Sequence, residues 1–185
     1  MKKLLLAPLL ALGCAHNALP PLPEPTPDLS GTDPALARVL ELRVAANNLR
    51  DWQTWERLHT EDCLRLAPEL EAPLLGRAAM REAIARLGRA VPNYHLALVR
   101  VVGQGPWVAA ELRASGTFEA PLEVPGLPIA IPPTGNSFRQ HWVAMVRFQG
   151  ERIAEIREYY DQEDLLRQLK GGSPWPANEA ALTSR

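Results

Sequence analysis

The order of apolar and polar positions divides the chain into a helical first half and a strand-rich second half. "TDPALARVLELRVAANNLRDW" begins with Asp33 as a capping residue and Pro34 at the first helical position, and its leucines and valines recur at helical spacing. "NNLRDWQTWERLH" predicts a short second helix capped by Asp51. After the irregular stretch "CLRLAPELEAPLLG", the alanines, methionine and isoleucine of "RAAMREAIARLGRA" predict a third helix.

The second half has a strand-like pattern. "NYHLALVRVVGQGPWVAAELRASGTF" predicts a hairpin that turns at residues 103–106, and "NSFRQHWVAMVRFQGERIAEIREYYD" predicts a second, longer hairpin. "QEDLLRQLKGG" predicts a short last helix that ends at glycines. The proline-rich stretch between the hairpins, residues 119–135, fits either a plain connection or a flap over the open end of the sheet. Helices followed by antiparallel strands predict an α+β domain, in which N-terminal helices pack into a strongly curved antiparallel sheet.

The first residues, "MKKLLLAPLLALGC", have the order of a secretory signal peptide: two lysines, an apolar run and a small residue. "LALGC" resembles the bacterial lipobox, although Ala11 and Leu12 stand in the opposite order from the usual one. We therefore expect residues 1–13 to be a signal peptide and Cys14 to carry lipid; secretion without lipid and retention of the uncleaved segment are the alternatives. The protein is then expected in the bacterial cell envelope, on the periplasmic side or the surface, in contact with the membrane only through its lipid anchor.

The rest of the chain reads as one domain between two simple segments. Residues 14–33 are rich in proline and predict an extended tether that could reach roughly 60 Å at about 3.1 Å per residue. Residues 34–172 are the expected domain, and residues 173–185 read as a flexible tail. Cys63 lacks a metal-ligand spacing and is expected to be buried and structural.

Charge and histidine spacing restrict the possible partners. The 20 basic residues nearly balance the 21 acidic ones without forming a stripe, so nucleic acid is not an expected partner. The four histidines show no ligand spacing, so we expect no metal and no organic cofactor.

Four motifs follow one another along the domain: "GRAAMREAI", "PWVAAELRASGTF", "IPPTG" and "RFQGERIAEIREYYDQEDLLRQL". Their order and spacing resemble the SnoaL-like family of the nuclear transport factor 2-like fold. The resemblance implies a cone-shaped α+β barrel around an apolar pocket. It also implies an aspartate at the end of the last strand that acts as general acid and base in members that cyclise polyketide esters, and Asp161 stands in that place. Phe118 and Arg157 depart from the histidine and tryptophan that many relatives carry.

Strand alternation predicts which side chains surround Asp161. A turn at Gln149-Gly150 and a turn at Gly150-Glu151 give the same two faces. Asp161 also precedes "QEDLL" and could serve as the cap of the last helix. Unless a bulge shifts the register, His141 points away from Asp161, on a face with Arg139, Val143, Met145, Arg147, Arg152, Ala154, Ile156, Glu158 and Tyr160. The more apolar face should meet the pocket and carries the predicted substrate-binding residues Phe138, Gln140, Trp142, Arg157 and Tyr159, together with Ala144, Val146, Phe148, Ile153, Glu155 and the predicted catalytic Asp161.

These observations support two hypotheses about function. In the first, the domain binds a small hydrophobic molecule in its cone and catalyses ester cyclase or aldol-type proton abstraction, with Asp161 as general acid and base. In the second, it is a non-catalytic envelope lipoprotein, a ligand-binding module or an interaction module that forms a homodimer. The homodimer rests on analogy alone.

Overall fold

The computed structural model describes residues 19–20, 22–123 and 130–172. Four helices pack against a curled seven-stranded sheet, which confirms the predicted α+β class. In chain order the elements are β1 (Asp28–Gly31), α1 (Pro34–Leu49), α2 (Trp52–Arg57), β2 (His59–Leu66), β3 (Leu74–Leu75), α3 (Arg77–Ala90), β4 (His95–Gln104), β5 (Trp107–Thr117), β6 (Ser137–Gln149), β7 (Arg152–Tyr160) and α4 (Gln162–Leu169).

The helices begin where the sequence predicts. The Asp33 carboxylate accepts a hydrogen bond from the backbone N–H of Ala35 at 2.8 Å, and the Asp51 carboxylate accepts one from Thr54 at 3.0 Å. These bonds satisfy backbone donors that a helix start would otherwise leave unpaired. The third helix starts at Arg77 without a side-chain cap, and all three predicted N-terminal helices are confirmed.

The sheet has the order β1-β4-β5-β6-β7-β2-β3. The two predicted hairpins form its antiparallel centre, while β2 joins β7 in parallel and β3 closes that edge antiparallel to β2. The stretch interpreted as irregular is thus partly strand, because β2 finds its partner in β7, about ninety residues later. Local sequence carries no signal of so distant a pairing.

The tether prediction is wrong over its last residues. Asp28–Gly31 form β1, which pairs in parallel with β4 at the edge of the sheet. Folded structure therefore begins before residue 34. The predicted signal peptide, Cys14 and the C-terminal tail lie outside the described residues.

A bulge decides the faces of the longer hairpin. Gln149 pairs with Arg152 across a Gly150-Glu151 turn, and Phe148 pairs with Ile153. From Arg147 onward the register shifts by one residue, so that Ala144 opposes Glu158 and Trp142 opposes Tyr160. An extra residue in one strand exchanges the faces of everything beyond it. Hence Glu158 and Tyr160, and not Arg157 and Tyr159, share a face with Trp142.

We call the side of the sheet that packs against the helices the inner face and the opposite side the outer face. Val101, Val108 and Val146 are fully buried on the inner face, where they meet apolar residues of α1 and the fully buried Trp55 of α2. Within the part of the chain that the structure describes, no helix is both long and apolar enough to span a bilayer. Of the predicted flap, Leu122 and Ile131 pair as an isolated bridge, and residues 124–129 lie outside the described residues.

Candidate functional site

The inner face carries a group of polar side chains near the end of β7. Trp142 on β6 lies between Leu112 of β5 and Tyr160 of β7, with the Trp142 and Tyr160 ring centroids 6.0 Å apart. One residue pair further along, Glu158 opposes the small side chain of Ala144. The bulge in β7 therefore brings Glu158 and Tyr160 to the inner face, beside Trp142.

Glu158 is a buried carboxylate held by one arginine. Only 5% of Glu158 is exposed, and its Oε2 accepts hydrogen bonds from Arg65 Nε at 3.0 Å and Arg65 Nη2 at 2.5 Å. Arg65 comes from β2, the strand beside β7. Burial is the largest single influence on Arg65 and opposes its charge, but the charges of Glu158 and Glu69 and the hydrogen bonds to both together outweigh it and raise the pKa of the guanidinium. Glu158 Oε1 has no hydrogen bond to any described residue, so one carboxylate oxygen remains available.

Arg65 also extends the network toward solvent. Its Nη2 lies 2.7 Å from Glu69 Oε1, and the hydroxyl of Tyr160 donates a hydrogen bond to Glu69 Oε2. Burial, followed by the Glu69 contact, raises the pKa of Tyr160 well above its usual range. Tyr160 is therefore a protonated donor at neutral pH, which fixes the carboxylate of Glu69 beside the ion pair.

Two further hydrogen-bond donors on the inner side are available to a ligand. Arg43 of α1 is 6% exposed, and burial lowers its pKa while the charge of Glu158 partly offsets this effect. Arg43 Nε and Trp142 Nε1 are buried and have no hydrogen-bond partner among the described residues. A buried donor without a partner is costly, so these N–H groups suit a ligand that brings an acceptor oxygen.

Tyr94 belongs to the same surroundings. Burial, followed by the negative charge of Glu158, raises the pKa of the Tyr94 hydroxyl well above its usual range. A neutral hydroxyl therefore lies within the electrostatic influence of both Glu158 and Arg43. The cluster of Arg43, Arg65, Glu69, Tyr94, Trp142, Glu158 and Tyr160 is called the inner polar cluster below.

His59 is a structural residue of the adjoining core. It is fully buried, stacks on Trp55 with a centroid distance of 3.8 Å, and donates from Nδ1 to the Trp55 carbonyl at 2.6 Å. Burial, followed by the charge of Arg43, lowers the pKa of His59 to about 3. His59 is thus neutral at physiological pH and packs as an aromatic side chain.

Asp161 occupies the start of α4. Its side chain is exposed, and its Oδ1 accepts the backbone N–H of Asp164 at 2.9 Å. The capping hypothesis is therefore confirmed. The buried Gln140 reaches the main-chain carbonyl of Asp161, at a long 3.5 Å, and not its carboxylate. An acid-base role for Asp161 stays a prediction. Its carboxylate, which we call the rim carboxylate, is exposed at the start of α4.

The other predicted binding residues divide between the two faces. Gln140 and Trp142 lie on the inner face as expected, and Phe138 packs in a small apolar cluster with Phe118. The placement of Arg157 and Tyr159 beside them is wrong, because the bulge turns both to the outer face. There, Arg157 pairs with Glu155 at 2.7 Å, and Tyr159 is 55% exposed. His141 lies opposite Arg113 in the register of β5 and β6, on the outer face, as predicted.

Sequence reasoning missed most of the inner polar cluster. One signal was present: Arg43 follows Leu36, Val39 and Leu40 on the apolar stripe of α1, where an arginine is unusual. Glu158 and Tyr160 were assigned to the outer face, and Arg65 and Glu69 were read as irregular. No group of three or more metal-ligating side chains occurs in the ranges that the structure covers.

Comparison with known proteins agrees with this architecture. A family model of the SnoaL-like polyketide cyclases matches residues 37–169. The aklanonic acid methyl ester cyclase DnrD of Streptomyces peucetius is 30% identical over 125 residues, which cover 67% of this chain and 81% of the relative. The nogalonic acid methyl ester cyclase of Streptomyces nogalater is 35% identical over 81 residues, which cover 44% of this chain and only about half (54%) of that relative.

Solved structures support the same fold. The structure of TsrD from Streptomyces laurentii superposes with a TM-score of 0.62 at 24% identity, covering 75% of this chain and 97% of TsrD. At that identity the likeness shows the fold alone. The family model, by contrast, spans most of the chain and all four motifs. The chain therefore belongs to the SnoaL-like polyketide cyclase family.

Proposed function

We propose that this protein binds a small hydrophobic carbonyl compound on the inner face of its sheet and closes a ring in it by proton transfer, with Glu158 as general base and acid. The observation that carries the proposal is the buried Glu158 carboxylate, which Arg65 holds through one oxygen while the other has no described partner. The names of the two cyclase relatives support an ester as the substrate class.

The inner polar cluster offers complementary groups for such a substrate. A carbonyl oxygen would accept hydrogen bonds from the uncommitted N–H groups of Trp142 and Arg43. The hydrocarbon part would lie against Trp142 and the apolar lining of the inner face. Donors fixed in a dry site stabilise developing negative charge more strongly than water does, because they need no reorganisation.

The chemistry then follows from proton balance. Glu158 Oε1 takes a proton from the carbon next to the ester carbonyl, and the electron pair moves onto the carbonyl oxygen to give an enolate. The enolate carbon forms a bond to the carbon of a ketone in the same molecule, whose oxygen becomes an alkoxide. The Glu158 carboxyl returns its proton to that alkoxide. The product is an isomer of the substrate, so the reaction consumes no other reactant.

Arg65 has a positioning role in this scheme. Its two hydrogen bonds fix the position of Glu158 Oε2. Because both oxygens belong to one planar carboxylate, they also restrict the position of Oε1. Glu69 and Tyr160 hold Arg65 from the other side.

The test is turnover of aklanonic acid methyl ester, followed by chromatography and mass spectrometry in D2O. The wild-type chain should yield an isomer and accelerate deuterium uptake at the acidic carbon. Glu158→Gln should lower the rate about 10²- to 10⁴-fold, the usual range for removing a general base. Asp161→Asn, which keeps the cap, should have a turnover rate within a few-fold of the wild-type rate. If Asp161→Asn abolishes turnover and Glu158→Gln does not, the rim carboxylate is the base.

Binding without turnover is the second outcome that matters. Trp142 lies beside the proposed ligand position, so quenching of tryptophan fluorescence should report binding even without chemistry. If the ester quenches the wild-type protein but neither cyclises nor exchanges its proton, the protein is a binding module and the catalytic proposal is wrong.

The predicted signal peptide supports a location in the bacterial cell envelope, with lipid at Cys14. Residues 14–27 would then connect the lipid anchor to β1. The substrate would then be met outside the cytoplasm. Cell fractionation with labelled palmitate tests this location, and Cys14→Ser should abolish the label. A wild-type protein that stays unlabelled in the soluble cytoplasmic fraction would contradict it.

A further inference from the structure

The segment that precedes α1 lies across the outer face of the sheet. We call residues 19–20 and 22–31 the strap. Arg113 Nη2 donates to the Pro23 carbonyl at 2.9 Å, Arg139 donates to the Pro20 carbonyl, and β1 at the end of the strap pairs with β4. Two arginine side chains of the sheet and the pairing of β1 with β4 therefore hold the strap against the sheet.

A cavity of about 350 Å³ lies between the strap and the sheet. This volume is at the small end of the range for ligand pockets. It is also equivalent to about twelve water molecules at ~30 Å³ each. The cavity is distinct from the inner polar cluster, because the residues of its floor alternate with those that face the helices.

The floor of the cavity is polar and basic. His95, Ser115 and Arg139 form one row across β4, β5 and β6, and Thr117 and Ser137 form another. Side chains that oppose each other in such rows have Cβ atoms about 5 Å apart. Arg113, two residues before Ser115 on β5, lies on the same face and also lines the cavity. Three basic side chains thus converge around one serine hydroxyl.

One acidic side chain and one buried arginine donor complete the cavity lining. Glu24 of the strap is the one carboxylate among the described residues that line the cavity, and its Oε1 lies 2.5 Å from His95 Nε2. Arg113 Nη2 meets the backbone carbonyl of Pro23, which carries no net charge. Arg113 Nε is buried and has no hydrogen-bond partner within the described part of the chain. A buried guanidinium donor favours a charged acceptor.

We propose that this cavity is a second ligand site, which takes a small organic carboxylate. The carboxylate would lie between Arg113 and Ser115, and its hydrocarbon part against Leu22 and Pro23 of the strap. Arginine binds carboxylates through parallel hydrogen bonds, and its Nε–H is one of the two donors of that fork. The site is independent of the proposed cyclase chemistry, since it lies on the opposite face of the sheet.

The test uses hexanoate as the probe and hexanamide, which has the same size without the charge, as its control. Both are titrated into the full chain by isothermal calorimetry and by amide NMR. Hexanoate should bind and shift the amide signals of Ser115 and Glu24, and hexanamide should bind at least tenfold more weakly. Arg113→Gln should weaken hexanoate binding about tenfold or more. Arg152→Gln, an exposed arginine at the start of β7, and Glu158→Gln in the inner polar cluster should leave it within twofold.

Three results would overturn the proposal: equal binding of hexanoate and hexanamide, unchanged hexanoate affinity in Arg113→Gln, or no shift of the Ser115 amide at saturation. If Arg113→Gln displaces the strap, as judged from the Glu24 amide, Ser115→Ala decides instead because it leaves both arginines in place. Ser115→Ala should weaken binding at least threefold, and an affinity within twofold of wild type would reject the site. Loss of hexanoate binding in Glu158→Gln would assign the probe to the inner face instead.

Discussion

Removing Arg65 should destabilise the fold through the carboxylate that it leaves behind. Arg65→Met keeps most of the apolar stem and removes the guanidinium that donates to Glu158 at 3.0 and 2.5 Å. The side chains of Arg65 and Glu158 are only 14% and 3% exposed, so water cannot replace the lost donors. Glu69 also loses a partner, but it is about a third exposed and can be solvated.

The size of the effect follows from this burial. Breaking a buried ion pair by removing one partner costs about 3–5 kcal/mol, because an uncompensated charge remains. The charge of Arg43 still acts on Glu158 in the variant and offsets part of the loss. We therefore expect a decrease of about 3 kcal/mol in the free energy of unfolding at pH 8.

Urea unfolding followed by tryptophan fluorescence measures this decrease, since Trp55 is buried in the core beside the cluster. Two variants serve as controls. Arg38→Met removes an exposed partner of Glu41 and should leave stability unchanged within error. Arg65→Met combined with Glu158→Leu should recover more than half of the loss, because it removes the stranded charge. If Arg65→Met is as stable as Arg38→Met at pH 8, or the double variant recovers nothing, Glu158 does not depend on Arg65 as described.

Three further predictions concern the cap and the buried titratable groups. Asp161→Ala should lower the free energy of unfolding by about 1 kcal/mol and Asp161→Asn by much less, in the same urea assay, because asparagine can still accept the Asp164 N–H; equal losses would argue against the cap. His59 should keep a neutral imidazole in NMR titrations down to pH 4, and the protein should lose stability as the pH falls below about 6.5, since only the unfolded chain then takes up that proton. A His59 midpoint near 6 in the folded protein would contradict this. Cys63 is fully buried, and burial raises its pKa to about 11, so it should react with a disulfide reagent at pH 8 only after denaturation; rapid labelling of the folded protein would refute the assignment.

The sequence by itself determined the α+β class, the helices, the two hairpins and the family. Those features rest on local signals: a capping aspartate such as Asp33 satisfies backbone donors of its own first turn, and apolar side chains at a fixed period need one buried side. The cap at Asp161 was also readable, because its partner Asp164 lies three residues away. Even the turn at Gly150-Glu151 was among the two alternatives that the sequence allowed.

Only the tertiary structure decided which side chains form the site. Ile153 and Ile156 are both fully buried although they are three residues apart, and a strand can bury both on one face only if it carries an extra residue between them. That bulge turns Glu158 inward and Arg157 outward. The pairing of β2 with β7, which brings Arg65 to Glu158, depends in the same way on a partner that is remote in the chain. Local periodicity determines the elements, whereas the chemistry of the inner face depends on a one-residue shift that only the packed core specifies.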